Sequence, residues 1–504
     1  MTANNKTILR IILILSYIVL IVLVVFGISA LFSYLNTGAD RSSMLHTEVK
    51  KIDQYLPAVS WSPLNNEGRT MDETTLNDIE NDYLDAWYVK HVALMTNLEA
   101  GIDDYYTESA RKNITTIIDL NKVENISVEA TTLSHQPTLE FFSEDGQLAV
   151  ITDRNVVEYR RFYKNKEFQF ETTDVSTYKV MLLLEDGFWR IRHLVKQESA
   201  PYAAASNAAD LEIAIKGINY YPQANPWDTF GDQFSKDIIT KDFKIIKETG
   251  LNSVRIFVQY DDFGKANVNN KKLDQLKQTL DAAEENNIKV VITLFDFYGD
   301  YSALNWTLNQ RHVETIVSHL KDHNALLAWD IKNEPNLDFE SRGKGLVLAW
   351  LDHMIDMVKS VDGDHPVTIG WSDAESASLL NDKIDFVSFH YYKDIQKLGE
   401  TYSNLKTKIT DKPIVVTEFG LSSYRGIWSP FGNSETTQAN YHKTAQTQFN
   451  KFDIPYMSWT LYDFTEIPKE VVGRLPWRVN AQKHFGFIGV DGTKKESFNY
   501  ISKD

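Results

Sequence analysis

An α/β fold closed as a (β/α)8 barrel is predicted for the C-terminal three-fifths of the chain. Eight strand-like runs there alternate with amphipathic helical stretches, polar groups stand at the ends of several runs, and no glycine-rich phosphate loop follows the first. Two further units are expected before it. An uncharged apolar run predicts a transmembrane helix, and a stretch whose periodicity changes from helical to alternating predicts a small α+β domain. The expected division is 1–39 as cytoplasmic tip and anchor, 40–205 as α+β module and linker, and 206–504 as barrel.

The anchor comes first. Residues 11–35 are 25 consecutive positions without a charge, rich in Ile, Leu and Val, where about 20 suffice to span a bilayer. Lys6 and Arg10 precede the run, whereas Asp40 and Arg41 follow it together. The positive-inside rule therefore predicts a cytoplasmic N-terminus and an exported remainder. A cleaved signal peptide is the alternative, but signal cores span only about 7–15 residues and no small-x-small site follows. The expected location is the cell membrane, with a single pass.

After a polar stretch containing Pro57, Pro63 and Gly68, Leu76, Ile79, Tyr83, Trp87, Val92, Met95 and Leu98 recur mostly at three- and four-residue steps. This pattern predicts a helical region over 74–117, interrupted near Gly101. From Val123 the period becomes two. Runs over 125–130, 147–152, 155–163, 172–184 and 188–195 predict antiparallel strands, with turns at 144–146 and 185–187. The order of elements over 74–197 resembles the nuclear transport factor 2-like cone, which implies a spacer or interaction domain with a possible protein partner. His193 reads as a partly buried structural histidine. Residues 199–206, small and Pro-containing, read as a linker.

The barrel strands are expected at 213–219, 253–257, 289–295, 326–331, 367–371, 386–389, 414–417 and 456–459, with a terminal helix near Lys494. Helical segments over 236–249, 272–286, 313–323, 346–361 and 437–452 lie between them. At the strand ends stand Arg255, Asn333, Glu334, His390, Tyr392, Glu418 and Trp459. In a barrel such ends share one face. Glu334 and Glu418 would meet across the mouth, and two carboxylates so placed suit glycoside hydrolysis, in which one is protonated and the other ionised.

Composition bounds the partners. The net charge of -17 disfavours nucleic acid and anionic surfaces. Without cysteine there are no disulfides and no thiolate chemistry. His319 and His323 have the four-residue spacing of a helical zinc pair, but Leu320 stands where that motif needs its Glu. They read as a solvated helix face, and neither metal nor cofactor is expected. Aromatic residues, 12% of the chain, fit large cores or platforms for sugar rings.

Lys216-Gly217-Ile218-Asn219-Tyr220, Val254-Arg255-Ile256, Asn333-Glu334-Pro335, Ser388-Phe389-His390-Tyr391-Tyr392, Thr417-Glu418-Phe419-Gly420, Trp459 and the closing stretch Phe485-Gly486-Phe487-Ile488-Gly489 together resemble the clan A glycoside hydrolases of family 5, the cellulase and mannanase family. The resemblance implies a retaining double displacement on a β-linked glycan, with Glu334 as acid/base and Glu418 as nucleophile. It implies that Arg255 and Tyr392 hold Glu418, and that His390 holds Tyr392 or Glu334. Asn333 would contact the sugar 2-hydroxyl, and Trp459 would floor the subsite. Tyr220, Trp227, Phe297, Tyr298, Trp306, Trp371 and Tyr462 are candidate walls. Where many members carry a histidine after strand three, this chain has Asp296, expected to bind sugar hydroxyls instead. A polysaccharide-binding or assembly partner of an envelope synthase is the alternative function.

Overall fold

The computed structural model describes residues 55–202 and 214–502, except 428, 473 and 474, together with ten helical, solvent-exposed residues between 16 and 28. The expected anchor at 11–35 falls mostly outside the described residues. Among these residues no helix is long and apolar enough to cross a membrane. Residues 203–206 of the expected linker also fall outside them.

The N-terminal module begins with short strands β1 (Ala58–Val59) and β2 (Glu67–Gly68), followed by α1 (Glu73–Thr96), α2 (Ile102–Tyr105) and α3 (Glu108–Glu124). Asp72 caps α1 by accepting from the Thr75 amide, which satisfies one of the donors a helix start leaves free. The helix buries Ile79, Tyr83 and Trp87 against a sheet of four long antiparallel strands: β3 (Ile126–Phe142), β4 (Leu148–Lys164), β5 (Glu167–Glu185) and β6 (Phe188–Pro201). The expected break between 152 and 155 is a bulge inside β4, where Asn155 takes positive φ. Asp186 and Gly187 both have positive φ in the β5–β6 turn, as a two-residue hairpin connection of the tightly twisted kind demands. Two expectations are corrected. Residues 199–201 continue β6, paired with β5 from Ser176 to Asp174, because ladder hydrogen bonds outweigh a linker-like composition. His193 is exposed rather than partly buried.

The second unit is a closed parallel barrel with the strand circuit β7 to β14. In chain order it contains β7 (Lys216–Asn219), α4 (Lys236–Glu248), β8 (Ser253–Gln259), α5 (Asn270–Glu285), β9 (Lys289–Asp296), α6 (Trp306–Leu320), β10 (Leu326–Asn333) and α7 (Lys344–Val361). It continues with β11 (Val367–Trp371), β12 (Val387–Tyr391), α8 (Leu398–Lys408), β13 (Ile414–Phe419), α9 (Glu435–Phe452), β14 (Tyr456–Ser458), α10 (Lys469–Val472) and α11 (Pro476–Gln482). Ser235, Asn269 and Ser434 cap α4, α5 and α9 through their side chains. The connection from β11 to β12 carries a three-residue 3-10 turn, Ser376–Ser378, in place of a helix, and a 3-10 turn over Glu496–Tyr500 replaces the expected terminal helix.

Strand periodicity organises the barrel interior in layers. Ile215, Val291, Ala328, Phe386, Val415 and Met457 form an apolar floor. Two residues further along several strands, the same inward face carries Thr293, Asp330 and Thr417; Asn219 and Arg255 lie beside them. The chemistry therefore begins one layer above a dry plug. The module packs on the outside of this barrel. Tyr159 stacks on Trp306, Glu129 Oε1 accepts from the Ala303 amide at 2.9 Å, and Thr307 Oγ1 accepts from the Leu56 amide at 3.1 Å.

Candidate active site

Several strands deliver the polar mouth, and three of them carry one extra residue just before the side chain they present to it. Relative to its neighbour, β9 gains a residue between Thr293 and Asp296, β10 between Asp330 and Asn333, and β13 between Val416 and Glu418. Such bulges re-aim the following side chain. In β10 the turn is completed by Glu334 itself, whose backbone is left-handed at φ 49°, with its amide donating to Gly370 O at 2.8 Å. A non-glycine residue there costs about 1–3 kcal/mol and persists only where the surroundings impose it. Pro335 then opens a short 3-10 turn, Pro335–Asp338.

Arg255 is the hub. Its guanidinium is fully buried and donates to Asp330 Oδ2 from Nε (2.9 Å) and Nη2 (2.5 Å), to Asn333 Oδ1 from Nη2 (3.0 Å), and to Asn219 Oδ1 (3.2 Å) and Glu418 Oε1 (2.7 Å) from Nη1. Gly370 is required beside it, since a Cβ there would sit 2.7 Å from Arg255 Nη2. Asp330 is anchored in turn by Thr293 Oγ1 and the Gly370 amide, each at 2.8 Å. With Asn333 Oδ1 engaged by Arg255, its amide NH2 is the group left to meet a ligand.

Glu418 accepts a second hydrogen bond, at Oε2, from Tyr392 O–H at 2.9 Å. His390 Nδ1 lies 2.8 Å from Glu334 Oε1 and 3.5 Å from Glu418 Oε2. Ligand atoms of Glu334, His390 and Glu418 all fall within 4.8 Å of one another. Three donors so close could hold a metal ion, but both Glu418 oxygens are already engaged by Arg255 and Tyr392, so the set suits proton chemistry better. Burial lifts Glu418 above the ordinary carboxylate range against the opposing charges of His390 and Arg255. Burial also pushes Glu334 upward, but the hydrogen bond and charge of His390 outweigh it and bring Glu334 below its ordinary value. Each carboxylate thus titrates in the field of the other.

The pair opens into a cleft of about 590 Å3, whose lining includes Tyr221, Trp227, Asp296, Phe297, Lys332, Asn333, Tyr392 and Trp459. Asp296 is 4% exposed and accepts from Tyr221 O–H at 3.3 Å; burial raises its pKa to about 7 against the pull of Lys332 and Arg255. Lys332 Nζ stands 3.5 Å from Asp338 Oδ2, and burial holds its pKa below the ordinary lysine range. Phe297, left-handed at φ 58° and 46% exposed, also lines an adjoining hollow of about 500 Å3.

Most expected residues meet here: Arg255, Asp296, Asn333, Glu334, His390, Tyr392, Glu418 and Trp459. Tyr220 does not. With Asn219 facing into the barrel, period two turns Tyr220 outward, where it donates to Asp242 Oδ2 at 2.7 Å. Tyr221 fills the wall instead, its ring stacked between Trp227 and Phe257. Trp227, Phe297 and Tyr298 line the cleft. Trp371 is core, Tyr462 joins Tyr220 on Asp242, and Trp306 faces the module. His319 is exposed, and His323 lies beyond the last residue of α6, 3.0 Å from Asp281 Oδ1. Sequence reasoning missed Asp330 and Lys332, although inward alternation along 328, 330 and 332 marks both.

A family profile described as cellulase, glycosyl hydrolase family 5, matches residues 211–465. The chain is similar to mannan endo-1,4-beta-mannosidase A of Emericella nidulans, 25% identical over 274 residues that cover 43% of this chain and 71% of that protein. It is also similar to putative mannan endo-1,4-beta-mannosidase 4 of Arabidopsis thaliana, at 27% over 223 residues, covering 35% and 51%. Among solved structures, exo-beta-1,4-mannosidase Op5Man5 from Opitutaceae bacterium strain TAV5 aligns with a TM-score of 0.47 and 18% identity. That alignment covers 57% of this chain and 58% of the mannosidase.

Proposed function

The chain belongs to glycosyl hydrolase family 5, and from that premise we propose that it is a retaining glycoside hydrolase acting on a β-1,4-linked glycan, with β-mannan ahead of β-glucan. The observation that carries the retaining assignment is the approach of Glu334 and Glu418 within 4.8 Å. Retaining pairs stand about 5–5.5 Å apart, whereas inverting pairs leave about 6.5–9.5 Å for a water between them. The preference for mannan rests on the activities named for the similar proteins.

In the first step a Glu418 oxygen attacks the anomeric carbon as the glycosidic C–O bond breaks, and Glu334 gives its proton to the departing oxygen. In the second, Glu334 takes a proton from water, whose oxygen replaces Glu418 at the same carbon. This cycle starts with the proton on Glu334, whose side chain opens to the cleft, and the charge on Glu418, which Arg255 supports from 2.7 Å. In this reading the Asn333 amide meets the sugar 2-hydroxyl and Trp459 the ring face. The N-terminal apolar run and the basic residues before it favour a single-pass anchor with the barrel outside the membrane, and the module then serves as an interaction domain.

Reducing-sugar release from β-mannan and β-glucan by wild type and Glu418→Ala tests the proposal. Release from mannan that the substitution abolishes is expected; equal release by the variant, or none from any β-glycan by wild type, overturns it.

A further inference from the structure

Where the module meets the barrel, strands β3 to β5 and helices α6 and α7 enclose a crevice of about 340 Å3, within the span of small-ligand sites, about 300–1,000 Å3. Its base is an aromatic column. Tyr159 stacks on Trp306 with ring centroids 4.3 Å apart, and Trp306 stacks on His353 at 4.7 Å. Tyr202, 45% exposed, stands among the lining residues at the surface.

Polar groups converge on this column from both units: Gln310 from α6, Asp352 and Asp356 from α7, and Glu171 from β5. Gln310 is only 5% exposed, yet among the described residues its Oε1 accepts no hydrogen bond, and His353 Nε2 has no partner either. A buried polar atom left so is destabilising until a donor or acceptor reaches it. The three carboxylates nearby bring further acceptors. Arg161 Nη1 already meets Glu171 Oε2 at 2.5 Å, and Lys383 Nζ meets Asp352 Oδ1 at 2.8 Å and Asp356 Oδ2 at 3.8 Å. With the charge largely answered, the crevice calls for a neutral ligand that carries several hydroxyl donors and an apolar ring face.

We propose that this crevice is a second glycan site, which takes one or two neutral sugar residues of the polymer cut in the barrel mouth. The inference rests on the assignment of a neutral β-linked glycan as substrate. It gives the module a role that neither unit has alone, because the exposed ring, Tyr202, and Glu171 come from the module while the amide and the other carboxylates come from the barrel helices. A polymer held at two places gains effective concentration at the second without any new contact in the cleft.

Calorimetric titration of the full chain carrying Glu418→Gln, with β-1,4-mannohexaose and with cellohexaose, tests the proposal. Two binding events per chain are expected with the sugar that wild type cleaves. Tyr202→Ala, and independently Gln310→Ala, should remove one event. In the otherwise wild-type enzyme, each should raise KM for polymeric substrate several-fold and leave kcat on a trisaccharide unchanged. One binding event that neither substitution alters, while the wild type cleaves the polymer, overturns the second site and leaves the assigned activity standing. Absence of both cleavage and binding for every sugar overturns both.

Discussion

The module and the barrel each bury a hydrogen-bonded cluster of titratable side chains, and the two differ chiefly in whether a member reaches a cleft. In the module, Asp153 Oδ2 meets His135 Nδ1 at 2.6 Å and accepts from Tyr83 O–H at 2.8 Å, Oδ1 accepts from the Gln136 amide at 2.8 Å, and His135 Nε2 lies 2.7 Å from Thr132 Oγ1. The side chains of His135 and Asp153 are fully buried, and every polar position of this pair is taken by protein. In the barrel, Arg255 and Asp330 are sealed as completely, but the Glu334 side chain is 26% exposed and opens to the cleft. By residue type the His135–Asp153–Tyr83 set looks as catalytic as the Glu334–His390–Glu418 set. Access separates them: a saturated network holds a fold together, and one with a lone pair facing a cavity can bind and react.

The largest effect that tests this contrast is Glu418→Ala, which should lower kcat by about 10^4-fold or more in a protein that still folds, because Asp330, Asn333 and Asn219 keep Arg255 hydrogen-bonded, read by aryl-glycoside hydrolysis and thermal unfolding. Asp153→Asn should do the opposite. It breaks a saturated buried hydrogen-bond network, so unfolding in urea should show a loss of about 1–3 kcal/mol, while kcat on a short soluble substrate stays at the wild-type value. If Asp153→Asn instead abolishes turnover in folded protein, the contrast fails.

A smaller effect sharpens the barrel half of the comparison. His390 lowers Glu334 through its hydrogen bond and charge, so His390→Gln should move the alkaline limb of the kcat/KM profile to higher pH, besides reducing the rate. The smallest concerns Asp296, raised by burial to about 7. Between the ordinary Asp range, near about 4, and that value, the folded protein keeps a proton that the unfolded chain has released. Stability contributed at this site therefore falls as pH rises through the window and is flat above it. Asp296→Asn removes the fall, so its Tm gain over wild type should be larger at pH 8 than at pH 5.

Sequence patterning exposed the barrel because its strands are buried on both faces and end in polar residues, and it exposed the Glu334–Glu418 pair because family motifs carry both residues. It did not expose the bulges before Asp296, Asn333 and Glu418, since an inserted residue leaves no compositional trace and shows only in the pairing register. The same blindness put Tyr220 in the wall and left out Tyr221: one residue of phase separates the barrel's inside from its outside. Asp330 was legible in principle, because a buried Arg255 demands a carboxylate on the same inward face. The contact between module and barrel was not, as nothing in either segment marks Tyr159 or Trp306 as partners.

That Glu418 bonds to the sugar while Glu334 moves the proton is tested most directly by trapping with a 2-deoxy-2-fluoro-β-mannosyl fluoride and locating the adduct by mass spectrometry. One fluorosugar per chain, on the peptide containing Glu418 and missing from Glu418→Ala, is the predicted result. An adduct on another residue, or turnover of substrate with inversion at the anomeric carbon, would contradict the account.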